Sequence, residues 1–180
     1  MHADIQSSWN ALVAPDDEVW HLGDYAMGNV RWGLDWLANL HGVHTIVLGN
    51  HDKPWAGKKS DPTWREEFKL AFAEVHDGPI DLSTAFTKYT GAPVSVLANH
   101  FPFAEPFPAG KVDKYAAHRH PVPHGGWLLH GHSHGRWRQR GRMIDVGIDA
   151  WGGKPVPATA IAALFEQGPA DSDRVPWERE

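Results

Sequence analysis

Four apolar runs in this chain end in the same way, and no other feature constrains its fold as tightly. Val19-Trp20-His21-Leu22 stops at Gly23-Asp24, Thr45-Ile46-Val47-Leu48 at Gly49-Asn50-His51-Asp52, Val96-Leu97-Ala98 at Asn99-His100, and Leu128-Leu129 at His130-Gly131-His132-Ser133-His134. A β-branched run that ends in glycine is the pattern of a buried strand leaving a sheet. Open α/β sheets bind ligands just beyond the carboxyl ends of their strands. If these strands lie side by side, their ends bring a carboxylate, an amide oxygen and several imidazoles to one rim.

The intervals between the runs set the remaining elements. Ile5, Trp9, Leu12 and Val13 share a helical face that Pro15-Asp16-Asp17 interrupts. A helix over residues 30 to 40 separates strands at 19 to 22 and 43 to 48, which predicts a parallel crossover. After a polar loop, Pro62 sits in the first turn of a helix predicted over 63 to 75. Strands follow at 80 to 89, 94 to 98, 127 to 130 and 143 to 148, and a last helix at 158 to 165. Residues 101 to 125 are rich in Pro and His, without periodicity, and read as an ordered functional loop. There is no internal repeat and no linker, so the reading is one domain over 1 to 167 and a flexible charged tail over 168 to 180.

Composition excludes several classes. With 42% hydrophobic and 22% charged residues the chain is globular in type, and no apolar run approaches the ~20 residues of a membrane span. Neither a transmembrane helix nor a signal peptide is expected. The chain has no cysteine, hence no disulfide and no thiolate metal site, which fits a reducing cytoplasm. A net charge of −5 argues against a general nucleic-acid coat, although Arg136, Arg138, Arg140 and Arg142 could form a local basic patch. The 13 histidines direct attention to where they cluster.

The carboxylates, amides and imidazoles at these strand ends make a mixed oxygen and nitrogen donor set of the kind that suits Mn, Fe or Zn. The glycines among them let the chain turn sharply and let a small anion approach the backbone. A carboxylate can bridge two cations, and two metals ~3.5 to 4 Å apart can clamp a phosphoryl group and activate a water. His51, oriented by Asp52, has the chemistry of a general acid for a leaving oxygen.

Taken in order, HLGD, LGNHD, the strand-end histidine and GHSH resemble the calcineurin-like metallophosphoesterases, in particular the small bacterial and phage phosphoesterases. The likeness runs from about Trp9 through Trp151-Gly152-Gly153-Lys154-Pro155. It implies an α/β fold, a two-sheet β sandwich flanked by helices, that hydrolyses phosphomonoesters or phosphodiesters with a metal-activated water. It implies Asp24 as the bridging carboxylate, Asn50, His100 and His132 completing one metal site, and His134 serving the other. His51 matches the catalytic histidine and Asp52 its orienting acid. The cofactors implied are divalent ions, Mn2+ first, with Fe, Zn or Ni as alternatives.

Family members open on a strand ending in Asp-x-His, ahead of a helix that resembles residues 2 to 13. The expectation is therefore a sandwich lacking its first strand, with only Asp24 and His134 left for the first metal and one ion in place of two. His2 and Asp4 form a reversed version of that motif, but within the predicted helix. Trp9 and Trp20 would lose cover and favour self-association. Two rival readings are a non-catalytic metal- or phosphate-binding remnant, and an interaction subunit that completes its sheet with a second chain, for instance as a homo-oligomer. The partner expected is a phosphoester substrate; net charge does not indicate nucleic acid, and no membrane is implied.

His21, His41, His44, His76 and His130 read as packing or hydrogen-bonding groups. His118, His120 and His124 lie in the long loop, and Trp32, Trp36 and Trp64 on helical faces as core or interface residues.

Overall fold

The structure is a computed structural model that describes residues 2 to 57, 61 to 103, 112 to 121 and 125 to 173. It is an α/β fold with two sheets and helices. The first half alternates helix and strand: α1 (His2–Asn10), β1 (Glu18–His21), α2 (Val30–Leu37), β2 (Val43–Val47), α3 (Thr63–Ala71) and β3 (Glu74–His76). The three strands form a parallel sheet in the order β1-β2-β3, with Trp20 beside Thr45 and Ile46 beside Val75. The crossover expected from the apolar spacing is present. α2 begins where the Asn29 side chain accepts the Trp32 N–H, and it buries Val30, Gly33, Leu34 and Leu37, the i, i+3, i+4, i+7 stripe of one helical face.

The second half contains β4 (Ile80–Asp81), α4 (Ser83–Thr90), β5 (Val96–Ala98), β6 (Trp127–His130), β7 (Trp137–Gly141), β8 (Met143–Asp145), α5 (Ala158–Gln167) and β9 (Ala170–Asp173). These six strands are ordered β4-β5-β6-β8-β7-β9, and β5, β6 and β8 run parallel at the centre. One core packs α1, α2 and α3 on Ile46 and Leu48. The other joins Leu22 and Val47 of the first sheet to Val96, Ala98, Leu129 and Ile144 of the second, and to α4 and α5.

Four expectations require correction. Residues 80 to 89 are a two-residue strand followed by α4: the Asp81 carboxylate accepts the Ser83 N–H at 2.8 Å, and Gly91 ends the helix at φ 67°. The helix predicted to reach residue 75 stops at Ala71, because Phe72 is extended and the Ala73 N–H turns to the His44 carbonyl at 2.8 Å, feeding β3. The tail is not loose from 168 on, since Ala170–Asp173 pairs with Trp137–Gly141 as an edge strand; residues 174 to 180 lie outside the described residues. Trp9 is buried, its ring stacked on His21 and its Nε1–H given to the His41 carbonyl at 2.9 Å. Trp20 is half-buried. No helix among the described residues is long and apolar enough to cross a membrane.

The histidines read as structural do hydrogen-bond. His41 contacts the Val13 carbonyl through Nδ1, and His76 contacts Glu74. His21 Nε2 lies 3.0 Å from His44 Nδ1, and His44 Nε2 lies 3.3 Å from the Leu40 carbonyl. Around His21 stand Trp9, Tyr25 and Phe72. Burial, then the neighbouring His44, pulls the His21 imidazole down to about 3, and burial also lowers His44. The unfolded chain takes up these protons near pH 6.5. The native state holds fewer protons than the unfolded state below that pH, so the pair's stabilisation is complete above about pH 6.5 and declines as pH falls. His21 alone should cost about 1 kcal/mol at pH 5.5. Melting curves at pH 7.5 and 5.5 test this: the wild type should lose more Tm on acidification than His21→Phe, and equal losses would contradict it.

Candidate metal centre

Because β1 and β2 are parallel, Asp24 and Asn50 leave the first sheet on the same side; because β5 and β6 are parallel, His100 and His132 leave the second together. The two rims meet where His100 Nδ1 reaches the Leu22 carbonyl at 2.7 Å. A carbonyl only accepts, so Nδ1 carries the proton and Nε2 of the neutral ring presents a lone pair. Asn50 Oδ1 at 3.1 Å, His132 Nδ1 at 3.2 Å and Asp24 Oδ2 at 3.5 Å all face that lone pair. Burial lowers His100, and burial followed by the charge of His100 brings His132 to about 4. Near neutral pH both rings are therefore neutral, and their nitrogens, the Asn50 oxygen and the Asp24 carboxylate converge on one point. Asp24 Oδ2 is one of two buried side-chain atoms, among the described residues, that have no hydrogen-bond partner; the other is His130 Nε2.

The backbone is shaped for this convergence. Among the described residues, three non-glycine residues have positive φ, Asp24 (56°), His132 (65°) and His134 (51°), and all three belong to the expected donor set. Such strain persists where surrounding structure enforces it, and it clusters at functional sites. A Cβ on Gly23 would lie 2.5 Å from His100 Nδ1 and 2.6 Å from the Gly49 nitrogen, so the strand ends approach this closely only without side chains.

Two buried carboxylates hold the turns. Asp52 Oδ2 accepts the Asp24 and Gly49 N–H groups, both at 2.8 Å, and Oδ1 accepts the Tyr25 N–H at 3.1 Å. Asp52, expected to orient the His51 ring, thus spends its oxygens on the backbone and braces the Asp24 turn. On the opposite side Asp145 accepts from the Ser133 hydroxyl, from the Gly135 N–H at 3.3 Å and from the Gly147 N–H at 2.8 Å, bracing the His132 to His134 turn. Burial raises each carboxyl to about 6. Asp145 and its role were missed in the sequence. The signal was the acid that ends the apolar strand Met143-Ile144, the same pattern as at the other strand ends.

The expected residues do not all converge. Asp24, His100 and His132 offer ligand atoms within 4.8 Å of one another and could hold a metal ion, with the amide oxygen of Asn50 alongside. His134 is exposed and outside that trio, though near enough for its charge to act on His100 and His132. His51 is exposed at the rim, and its backbone N–H donates to Asp24 Oδ1 at 2.7 Å. In the long loop, His118 packs on Trp55 at 4.7 Å, and its carbonyl accepts from the Asn99 amide at 3.1 Å; His120 is exposed and His124 lies outside the described residues. Arg138 is structural, giving Nη2–H to the Ala150 carbonyl at 3.0 Å and lying over Trp151.

No family model matches the sequence. Over 162 residues the chain is 30% identical to the Gene 66 protein of Mycobacterium phage L5, a match covering 83% of this chain and 74% of the relative. Over 155 residues it is 34% identical to the Gene 66 protein of Mycobacterium phage D29, covering 79% and 72%. The chain belongs to the family of these mycobacteriophage gene 66 proteins. A crystal structure of a protein of unknown function from Aquifex aeolicus superposes with a TM-score of 0.64, covering 91% of this chain and 84% of that one; at 22% identity the likeness concerns the fold.

Proposed function

We propose that this protein is a metal-dependent hydrolase of phosphoric esters, a metallophosphoesterase of the calcineurin-like type, with its two sheets forming the sandwich of that fold. The observation that carries the proposal is the convergence of Asp24 Oδ2, Asn50 Oδ1 and His132 Nδ1 on the unprotonated Nε2 of His100, with the buried Asp24 Oδ2 left without a hydrogen-bond partner, an arrangement that a cation would stabilise. A bound divalent ion, Mn2+ or a similar borderline cation, would polarise a phosphoryl oxygen and lower the pKa of a water.

The chain's own residues do the rest. Asp24 supplies the anionic donor, and its other oxygen is fixed by the His51 amide. Asn50, His100 and His132 complete the shell, the Leu22 carbonyl locking His100 in the tautomer that leaves Nε2 available. His134, exposed and outside the trio, would serve a second ion. His51, exposed beside Asp24, donates a proton to the departing oxygen.

That last role has a distinctive test. His51→Ala should lower kcat by about 10²- to 10⁴-fold for an ester with an alkoxide leaving group, which needs the proton. It should have little effect on bis(p-nitrophenyl) phosphate, whose phenolate leaves unprotonated. Equal losses for both esters would remove His51 from the role of general acid.

A further inference from the structure

Beside the His51 rim lies a surface of cations and aromatic rings that the proposed chemistry does not use. Lys53 follows the Asp52 brace directly, and its ammonium lies 5.9 Å from the centroid of the Trp64 ring. The Arg31 guanidinium on α2 lies 5.4 Å from the same ring. Arg31 has an exposed side chain that also pairs with Glu67, a contact that engages one of its five N–H donors. One residue along α2, Trp32 is 46% exposed, with its ring stacked on Trp36 at 6.0 Å and 9°. The indole beside the two cations, Trp64, is half-buried and packs on the first core, as Trp36 does, while Trp32 keeps much of its ring exposed.

We propose that this surface, Arg31, Lys53 and Trp64 together with the Trp32-Trp36 stack, binds single-stranded nucleic acid beside the metal centre. Unpaired bases stack on aromatic faces whatever their sequence, while phosphates between them take Lys and Arg. A duplex offers no such exposed base faces. The net charge of −5 confines the attraction to this local patch and makes it salt-sensitive. The inference rests on the phosphoesterase reading only in naming the strand as substrate; the surface binds it whether or not hydrolysis occurs.

The test is fluorescence anisotropy of labelled oligo(dT) twelve nucleotides long with the wild-type chain, with and without Mn2+, at low and moderate salt. Lys53→Glu combined with Arg31→Gln should weaken binding at least about tenfold, and Trp32→Ala at least about fivefold, the low end of a lost stacking contact. Both should leave Mn-dependent hydrolysis of bis(p-nitrophenyl) phosphate unchanged. Should the double variant fold poorly, Lys53→Glu alone decides, since Lys53 is exposed. Undiminished binding in these variants, no binding by the wild type, or equal affinity for a duplex of the same length would overturn the proposal. Oligonucleotide binding that the variants weaken, without ester hydrolysis, would sink the catalytic reading and leave the surface standing.

Discussion

Gly49→Ala should cost about 1 to 3 kcal/mol of stability, the usual range for forcing a methyl into a filled site, and it should weaken Mn2+ binding at the same time. A Cβ at Gly49 would collide with Asp24 Oδ1, sit 2.6 Å from the Asp24 nitrogen and lie 2.7 Å from His100 Cε1. Two of those atoms belong to donor side chains and the third to backbone, so nothing flexible can yield. Asp24 cannot retreat, because Asp52 Oδ2 holds the Asp24 and Gly49 amides at 2.8 Å each. Gly78→Ala is the control: it has no positive φ, and a Cβ there meets no atom within 4 Å. Thermal melts and Mn2+ titration calorimetry of both variants decide the matter. If Gly49→Ala melts and binds metal like Gly78→Ala, the close approach of the strand ends is not what shapes the site.

Asp24→Asn should separate stability from metal binding. Asp24 has φ 56°, a conformation that Asn tolerates about as well as Asp, and the Asn carbonyl can still accept the His51 N–H. What changes is the second oxygen, buried and without a hydrogen-bond partner. Removing an uncompensated buried charge stabilises or is neutral, so the metal-free variant should melt at or above the wild-type temperature. Binding of Mn2+ to the native state raises Tm in proportion to RT ln(1 + [L]/Kd). That gain should be present in the wild type and absent from Asp24→Asn. A metal-free variant of clearly lower Tm that keeps the full Mn2+ gain would show Asp24 to be a structural turn residue.

How far the sequence revealed this molecule depends on what each segment encodes locally. β1, β2, β5 and β6 were legible because each is a short apolar run closed by Gly or Asn, and their polar ends do converge at Asp24, Asn50, His100 and His132. Residues 83 to 90 misled because Thr, Phe and Tyr favour strands, whereas packing of Phe86 on Phe165 of α5 selects the helix. β9 was illegible because an edge strand of Ala, Asp and Ser is held by its backbone pairing with β7, which carries no hydrophobic signature. The roles of Asp52 and Asp145 were hidden for a related reason. Asp52 was readable as an acid near the site and Asp145 was not singled out, and which backbone amides they accept depends on turns that only the assembled rims create.

Whether these strand ends hold a metal that hydrolyses phosphoric esters can be measured directly. The most direct measurement is the rate of bis(p-nitrophenyl) phosphate hydrolysis by this 180-residue chain as Mn2+ is titrated in, with Asp24→Asn as background. A saturable Mn2+-dependent rate is expected in the wild type, falling at least about a hundredfold in the variant, the upper end of what losing even an outer-shell metal partner does. A folded wild-type protein whose rate does not respond to Mn2+, or responds equally in Asp24→Asn, would contradict this expectation.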